Sequence, residues 1–316
     1  VQLNYNYRMF KKIRIFIAPA ITLLALYIIF KNLDILSVLD IVKNSNKLVL
    51  ILSSLITLVF VTIFLSCRLK ETMAILGYNL RFKEALKIYL AILPASKLSP
   101  ANTGDFIRSY YFKDRVLPSV SAGGVFFERI VDILIISLMA MISGALLWLK
   151  LPFLLGIAGI MVTLIFFFLL KKGLFIKNNG IGRKGKIAEK LFNISVVFNA
   201  SLKNKLATIK IFIYTALSWL TATLYIKSIF YAFGSNISLL HITAFQPLVS
   251  YTSLIPTISG VGVRESAMLF FYGGVAPAPI ILSVGLIFSF FNIVLLPLTG
   301  LPLMHRIIKN TKNGQQ

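Results

Sequence analysis

The chain has little of what a metal site or a polar catalytic centre requires. Its 316 residues include one cysteine, Cys67, and two histidines, His241 and His305, which lie far apart and near no acidic cluster. A disulfide within the chain is therefore excluded, and a metal centre is not expected. The sequence contains no Walker motif, dinucleotide-binding glycine motif or nucleophile–base arrangement. We accordingly predict no metal, no cofactor and no catalytic residue.

Charged residues are also scarce, while apolar residues dominate. Hydrophobic residues make up 58% of the chain and charged residues 14%, whereas about 25% of a typical soluble domain is charged. A helix needs about 20 apolar residues to cross a hydrocarbon core about 30 Å thick, and most of the chain lies in such runs. The sequence therefore predicts an all-α integral membrane protein with a single polytopic domain over 1–316.

The apolar runs are of two kinds. Two of them are short and interrupted by glycine and proline, at 86–112 and 241–274. The others are long enough to be full transmembrane spans, and we predict six, at about 13–30, 48–66, 125–149, 151–170, 207–232 and 279–304. The domain then divides into a first half at about 1–170, a basic cytoplasmic loop at 171–206 and a second half at about 207–306.

The formal charge of +23 raises the question of a nucleic-acid partner. The basic residues, however, lie in short segments between apolar runs, which is typical of membrane topology. With both termini in the cytoplasm, the inner side receives the basic segments 8–14, 68–83, 108–115, 171–210 and 306–312. The outer side receives only Lys31, Lys43, Lys47 and Lys150. We therefore predict a multi-pass cell-membrane protein with both termini cytoplasmic and no nucleic-acid partner.

The same distribution of charge constrains the two interrupted stretches. Cytoplasmic segments flank 86–112, so this stretch is predicted to be a re-entrant hairpin that opens inward. The stretch 241–274 is predicted to open outward, although two short crossings satisfy the same parity. Two such segments indicate an inverted-repeat architecture with a site near the midplane, where both tips lie inside the protein and are able to meet. The alternative is that Pro94, Pro100 and Pro256 only kink ordinary helices.

Ionisable side chains in or beside the apolar runs are candidate site residues, because burying a charge in a membrane is costly. They are Lys97, Asp105, Arg108, Glu128, Arg129, Asp132, Lys227, Arg264 and Glu265. Asp105 and Arg108 stand close enough on a helix to pair, and Gly104 permits a close backbone approach. Glu128 and Asp132 share one face of the third span, so they require a cation or a proton between them.

The motif "PTISGVGVRES" predicts a broken helix in the second interrupted stretch. Pro256 ends one half-helix, Gly260 and Gly262 free the turn, and Arg264 with Glu265 begins the next half-helix. A helix N-terminus at this place offers free N–H groups and a positive dipole end, which together suit an anion such as phosphate.

Arginine suits a lipid phosphate better than lysine does, because its planar fork grips two oxygens and stays charged. We therefore predict Arg108, Arg129 and Arg264 as headgroup ligands. Four carboxylates complete the predicted substrate-binding set: Asp105, Glu128, Asp132 and Glu265. The alternative is that these charges form an internal salt-bridge network that only fixes helix packing.

Three motifs occur in order: "LPASKLSPANTGDFIRSYYF", "VSAGGVFFERIVDILIISL" and "LIPTISGVGVRESAMLFFYGG". Together they resemble the flippase-like, lysylphosphatidylglycerol synthase transmembrane-region family over nearly the whole chain. The sequence departs from the family pattern at Asp105, where glutamate is more common, and at Ser259, where glycine is common. The resemblance implies that the family's motif positions are Pro100, Gly104, Asp105, Arg108, Glu128, Arg129, Asp132, Pro256, Gly260, Gly262, Arg264 and Glu265.

The resemblance implies translocation of a lipid between leaflets, with membrane lipids that carry an anionic headgroup or a polyprenyl phosphate as partners. Larger members of the family carry a soluble aminoacyltransferase domain, and the resemblance concerns the membrane unit without it. We therefore expect a protein that is not an enzyme. Two other functions stay open: a membrane glycosyltransferase-type enzyme with a polyprenyl-phosphate donor, and a small-solute or ion transporter that couples through Glu128, Asp132 and Glu265.

Overall fold

The computed structural model describes residues 35–99, 102–113, 115–171, 195–255, 257 and 260–313, and every regular element in these ranges is helical. Two 3₁₀ turns, at Thr103–Ile107 and Tyr251–Leu254, and a π turn at Phe291–Leu295 accompany the α-helices. The α-helices are α1 (Ile35–Lys43), α2 (Lys47–Ile75), α3 (Phe82–Leu98), α4 (Arg108–Tyr111), α5 (Pro118–Leu146), α6 (Lys150–Lys171), α7 (195–203), α8 (Lys205–Ala232), α9 (Leu239–Ser250), α10 (Val263–Tyr272), α11 (Ala278–Phe290) and α12 (Leu296–Asn313).

Four segments of the described chain are long and apolar enough to cross a membrane. They coincide with four of the predicted spans and cover Lys47–Ile75, Lys150–Leu169, Lys205–Ala232 and Ala278–Met304. The predicted span 125–149 overlaps α5, which is 29 residues long, ends at Leu146 and is not one of these four. The predicted span 13–30 lies outside the described residues, as do Pro100, Pro256 and most of the predicted loop 171–206. The number of six spans therefore stays a prediction.

The first interrupted stretch folds into a helical hairpin. Pro94 does not break α3, which continues to Leu98, and the chain turns back in the 3₁₀ turn that follows. A Cβ atom on Gly104 would overlap the carbonyl group of Ala95, so the returning segment of the hairpin lies directly against the backbone of α3. The two ends of the hairpin meet, because Arg115 Nη1 lies 2.6 Å from Oε1 of Glu84 at the start of α3.

The second interrupted stretch is also a hairpin, made of α9 and α10. The ring of Phe245 in the middle of α9 lies 5.3 Å from the ring of Tyr272 at the end of α10. Tyr272 is fully buried and packs on Phe230 of α8. The two half-helices therefore run antiparallel, with their outer ends anchored in the largest cluster of buried apolar side chains.

Small residues bring the remaining helices together. Gly144 and Gly156 place α5 and α6 in backbone contact, since a Cβ on Gly144 would lie 2.6 Å from the nitrogen of Phe153 and one on Gly156 would lie 2.6 Å from the nitrogen of Met141. α2 packs on α8, and α12 packs on α3. The outward face of α2 is apolar and exposed, which is the expected arrangement for a helix in contact with lipid.

Candidate functional site

The inner ends of the two hairpins face the same space. Lys97 and Asn102 from the first hairpin line a cavity of about 190 Å³ together with Ser250 and Arg264 from the second. Residues beside both predicted tips thus line one space, while the re-entrant character of the two hairpins stays a prediction. We call this space the polar cavity; the polar residues that line it include Arg68, Lys97, Asn102, Arg129, Asp132, Trp219, Gln246, Ser250 and Arg264.

A buried arginine links the two carboxylates of α5. Arg68 Nη1 lies 2.8 Å from Asp132 Oδ1, and Arg68 Nη2 lies 3.5 Å from Glu128 Oε2. Trp219 Nε1 donates a hydrogen bond of 3.1 Å to the same oxygen of Asp132. Glu128 and Asp132 are 7% and 8% exposed, so both face the protein interior, and the cation predicted to lie between them is Arg68.

Arg108 is held away from the polar cavity. Its Nη1 donates a hydrogen bond of 2.8 Å to Glu128 Oε1, which also accepts one of 2.7 Å from Thr72 Oγ1. Arg108 is 4% exposed and is not part of the cavity lining. The helical pairing of Asp105 with Arg108 is not formed. Asp105 instead accepts a hydrogen bond from Arg129 of α5, because the 3₁₀ turn directs the two side chains to different partners.

Arg129 is the arginine of α5 that lines the polar cavity. It pairs with Asp105, and its Nη1 lies 3.7 Å from Asp132 Oδ2 on the same helix. Its side chain is 39% exposed, more than those of Arg68 and Arg108. A guanidinium group between two carboxylates and an open space can rotate towards a ligand while Asp132 keeps its bond to Arg68.

The start of α10 partly fulfils its predicted role. Gly260 and Gly262 have φ angles of +80° and +84°, which side chains other than glycine rarely tolerate. The N–H group of Gly262 donates to Glu265 Oε2 at 2.6 Å. The protein's own carboxylate thus occupies one of the helix N-terminal positions that we assigned to an anionic ligand. Arg264 lines the polar cavity and donates a hydrogen bond of 3.1 Å to Ser289 Oγ, which in turn donates to Glu265.

Lys97 differs from the arginines around it. It stands in the last turn of α3, and among the described residues it has no hydrogen bond and no ion pair. Two side-chain acceptors at the same cavity also lack a donor within the described part of the chain: Asn102 Oδ1 and Gln246 Oε1. The polar cavity therefore contains one cation and two hydrogen-bond acceptors that have no partner among the described residues.

The charges around the polar cavity leave an excess of positive charge. Its described lining holds one carboxylate, Asp132, against four cations, Arg68, Lys97, Arg129 and Arg264. The neighbouring carboxylates Asp105, Glu128 and Glu265 are engaged by protein donors, and with them and Arg108 included the described group holds five cations and four carboxylates, an excess of one positive charge. Because few water molecules fit here, charges interact more strongly than they do at a surface. An anion entering the cavity would relieve this imbalance.

The sequence profile of the family described as lysylphosphatidylglycerol synthase TM region matches residues 15–300. The chain belongs to this family. No curated protein is similar enough to the chain to count as a match. The family region of this chain includes both hairpins and every residue that lines the polar cavity. Membership in it agrees with a membrane protein engaged in a lipid-related process.

Several cavity residues of this family member escaped the sequence analysis, among them Arg68, Asn102, Trp219, Gln246 and Ser250. Arg68 was assigned to a cytoplasmic flank because it follows an apolar run, yet α2 continues for two more turns and buries it. A signal was present, since Arg68 and Thr72 are four residues apart on one helical face and both bind Glu128. Gln246 and Trp219 lie within apolar runs with no charge nearby, and nothing local distinguishes them.

Proposed function

We propose that this protein binds a lipid with an anionic headgroup through the polar cavity and moves it between the two leaflets of the membrane. The observation that carries the proposal is the positive excess beside the two hairpins, with Lys97 as a cation that has no ion pair or hydrogen bond to any residue in the described ranges. A phosphate group is the lipid component that such a site neutralises best, since arginine and lysine are the preferred phosphate donors.

The physical obstacle to lipid translocation is the charge on the headgroup. Moving a charged group into the hydrocarbon core costs several kcal/mol, while the acyl chains stay in hydrocarbon throughout. Protein cations at mid-depth replace the water that the phosphate loses. Asn102 and Gln246 offer acceptors for hydroxyl groups on the headgroup. We therefore expect a preference for anionic over zwitterionic headgroups, because an added ammonium group would be repelled by the excess positive charge.

The hairpin geometry supports a two-sided mechanism. In the proposed topology both termini are cytoplasmic, the first hairpin re-enters from the inner face and the second from the outer face. Each hairpin has its two ends together and its tip at the polar cavity. Such opposed broken helices allow a fixed central site to be reached from either side in turn, as in inverted-repeat transporters.

Lys97 is the best position at which to test the proposal. Replacing Arg68 or Arg129 would remove an ion pair with Asp132 and so lower stability, whereas Lys97→Gln breaks no ion pair among the described residues. Loss of one hydrogen bond to a charged group costs about 1.5–3 kcal/mol, so we expect about 10- to 100-fold slower transfer. The assay is dithionite bleaching of fluorescent phosphatidylglycerol in liposomes that contain the purified protein.

The matched control is Lys150→Gln, the same substitution at the exposed first residue of α6. It should leave transfer unchanged. Fluorescent phosphatidylcholine should be moved more slowly than phosphatidylglycerol by the unaltered protein. Transfer of both lipids at equal rates, or full activity of Lys97→Gln, would contradict an anion site in the polar cavity.

The enzyme and solute-transport alternatives can be tested with the same preparation. A glycosyltransferase would consume a polyprenyl-phosphate sugar donor, and a solute transporter would take up a small ion into lipid vesicles. No feature of the described residues favours either function over lipid translocation. The direction of transfer and its energy source are separate questions that the liposome assay addresses by loading the labelled lipid into one leaflet.

A further inference from the structure

A second space adjoins the polar cavity on the side of α5 and α6. Its volume is about 400 Å³. Its lining is predominantly apolar, and we call it the apolar groove; the side chains that form it include Phe106, Phe126, Ile133, Ile136, Val162 and Phe166. The rings of Phe106 and Phe126 lie 5.3 Å apart and join the first hairpin to α5 along one wall.

The apolar groove is continuous with the polar cavity and open on its far side. Five residues line both spaces: Asn102, Arg129, Asp132, Trp219 and Ser250. Within the groove Ile136 is only 4% exposed, whereas Val162 and Phe166 are 64% and 40% exposed. The groove therefore leads from the lateral surface of the helix bundle, where apolar side chains face lipid, to the charged residues inside the protein.

The hydroxyl groups in the described lining of the apolar groove, those of Thr163, Ser250 and Tyr251, already have partners. Tyr251 and Ser137 share a hydrogen bond of 2.6 Å between their hydroxyl oxygens. Thr163 Oγ1 donates to the carbonyl oxygen of Gly159 at 2.7 Å, and Ser250 Oγ donates to that of Gln246 at 2.8 Å. A polar ligand would find few bonds to make here, whereas a hydrocarbon chain would break none.

The sizes of the two spaces point to a division of the ligand between them. The polar cavity, at about 190 Å³, is smaller than the range of about 300–1,000 Å³ that small-molecule sites occupy. It has room for a headgroup but not for a lipid. The apolar groove, at about 400 Å³, provides the remaining volume beside Arg129.

We propose that the apolar groove between α5 and α6 holds an acyl or prenyl chain of the lipid whose anionic headgroup lies in the polar cavity. This inference rests on the proposed function. A chain in the groove keeps an apolar environment along its whole length while the headgroup leaves the membrane interface. The groove thus serves as the lateral path along which a lipid reaches the cations.

Tryptophan fluorescence can test the groove directly, because the chain has two tryptophans and one of them, Trp219, lines it. Trp148 is 91% exposed and is removed by Trp148→Phe. Phosphatidylglycerol with bromine atoms midway along its acyl chains quenches a tryptophan that it touches. In detergent solution, we expect this lipid to quench the remaining Trp219 more than brominated phosphatidylcholine does at the same mole fraction.

The groove is then filled by Ile133→Phe in the Trp148→Phe background, with Ile142→Phe on the exposed face of the same helix as the matched control. We expect Ile133→Phe to lose the excess quenching and Ile142→Phe to keep it. Soluble dihexanoyl phosphatidylglycerol, followed by equilibrium dialysis, reports the headgroup site separately and should bind all three proteins equally.

The outcomes separate the two proposals. Excess quenching that survives Ile133→Phe overturns the groove while short-chain binding upholds the headgroup site. Equal quenching by the two brominated lipids, with short-chain binding intact, also overturns the groove. Absence of binding by both the short-chain and the brominated phosphatidylglycerol overturns the proposed function and the groove together.

Discussion

Glu128 is the residue whose replacement should be most costly to the fold. Its carboxylate lies 2.8 Å from Arg108 Nη1 and 3.5 Å from Arg68 Nη2, and it accepts a hydrogen bond from Thr72. Glu128→Gln keeps the size and removes the charge. Arg68 keeps Asp132, but Arg108 loses the only carboxylate with which it pairs among the described residues. Removing one partner of a buried pair costs about 3–5 kcal/mol.

The same substitution at Glu84 is the matched control. Glu84 pairs with Arg115 at 2.6 Å, which is as close as the buried pair, but the two side chains are 38% and 48% exposed. Exposed pairs contribute about 0–1 kcal/mol, so Glu84→Gln should change stability little. The two variants thus differ in burial while chemistry and distance stay similar.

The free energy of unfolding is measured by titrating detergent-solubilised protein with dodecyl sulfate and following the helical circular dichroism signal. We expect a loss of about 3–5 kcal/mol for Glu128→Gln and of less than about 1 kcal/mol for Glu84→Gln. The double change Arg108→Met with Glu128→Met should recover much of the loss, because it removes both charges. If Glu128→Gln costs no more than Glu84→Gln, the buried charge network does not stabilise the fold as described.

Two further predictions concern the hairpins. Gly104→Ala should lower the free energy of unfolding by about 1–3 kcal/mol, since its Cβ would overlap the backbone of α3. The control is Gly274→Ala, which should be neutral because nothing lies within 4 Å of the added Cβ. Equal effects of the two substitutions would contradict the close packing at Gly104. In a Cys67→Ser background, exposed cysteines at Lys83 and Gly274 should react with impermeant maleimide from the cytoplasmic and the outer side, respectively; labelling of both from one side would refute the topology.

Much of the local structure could be predicted from sequence because its causes are local. The broken character of the second hairpin follows from Gly260 and Gly262, whose positive φ angles few other residues adopt. The contact at Gly104 follows from the absence of a side chain. Burial of Glu128 and Asp132 follows from their four-residue spacing on an apolar helix, which places both on one face.

The partners of the charged residues could not be predicted in the same way. Asp105 and Arg108 were near enough to pair, yet each binds a residue of α5 instead. Arg68 meets Asp132, which is 64 residues away in sequence. Such contacts depend on how each helix is rotated about its axis, and that rotation is set by the packing of whole helices against one another.

By itself the sequence determined that this protein lies in a membrane and which segments are long apolar helices or interrupted stretches. Hydropathy and glycine or proline content show this over windows of about 20 residues. It also marked most of the charged residues that line the polar cavity, since a charge in an apolar run needs compensation wherever the run lies. Only the tertiary structure decided which charges pair with one another and which, like Lys97, have no ion pair within the described part of the chain. The apolar groove, likewise, exists only between packed helices, because no single segment contains its walls.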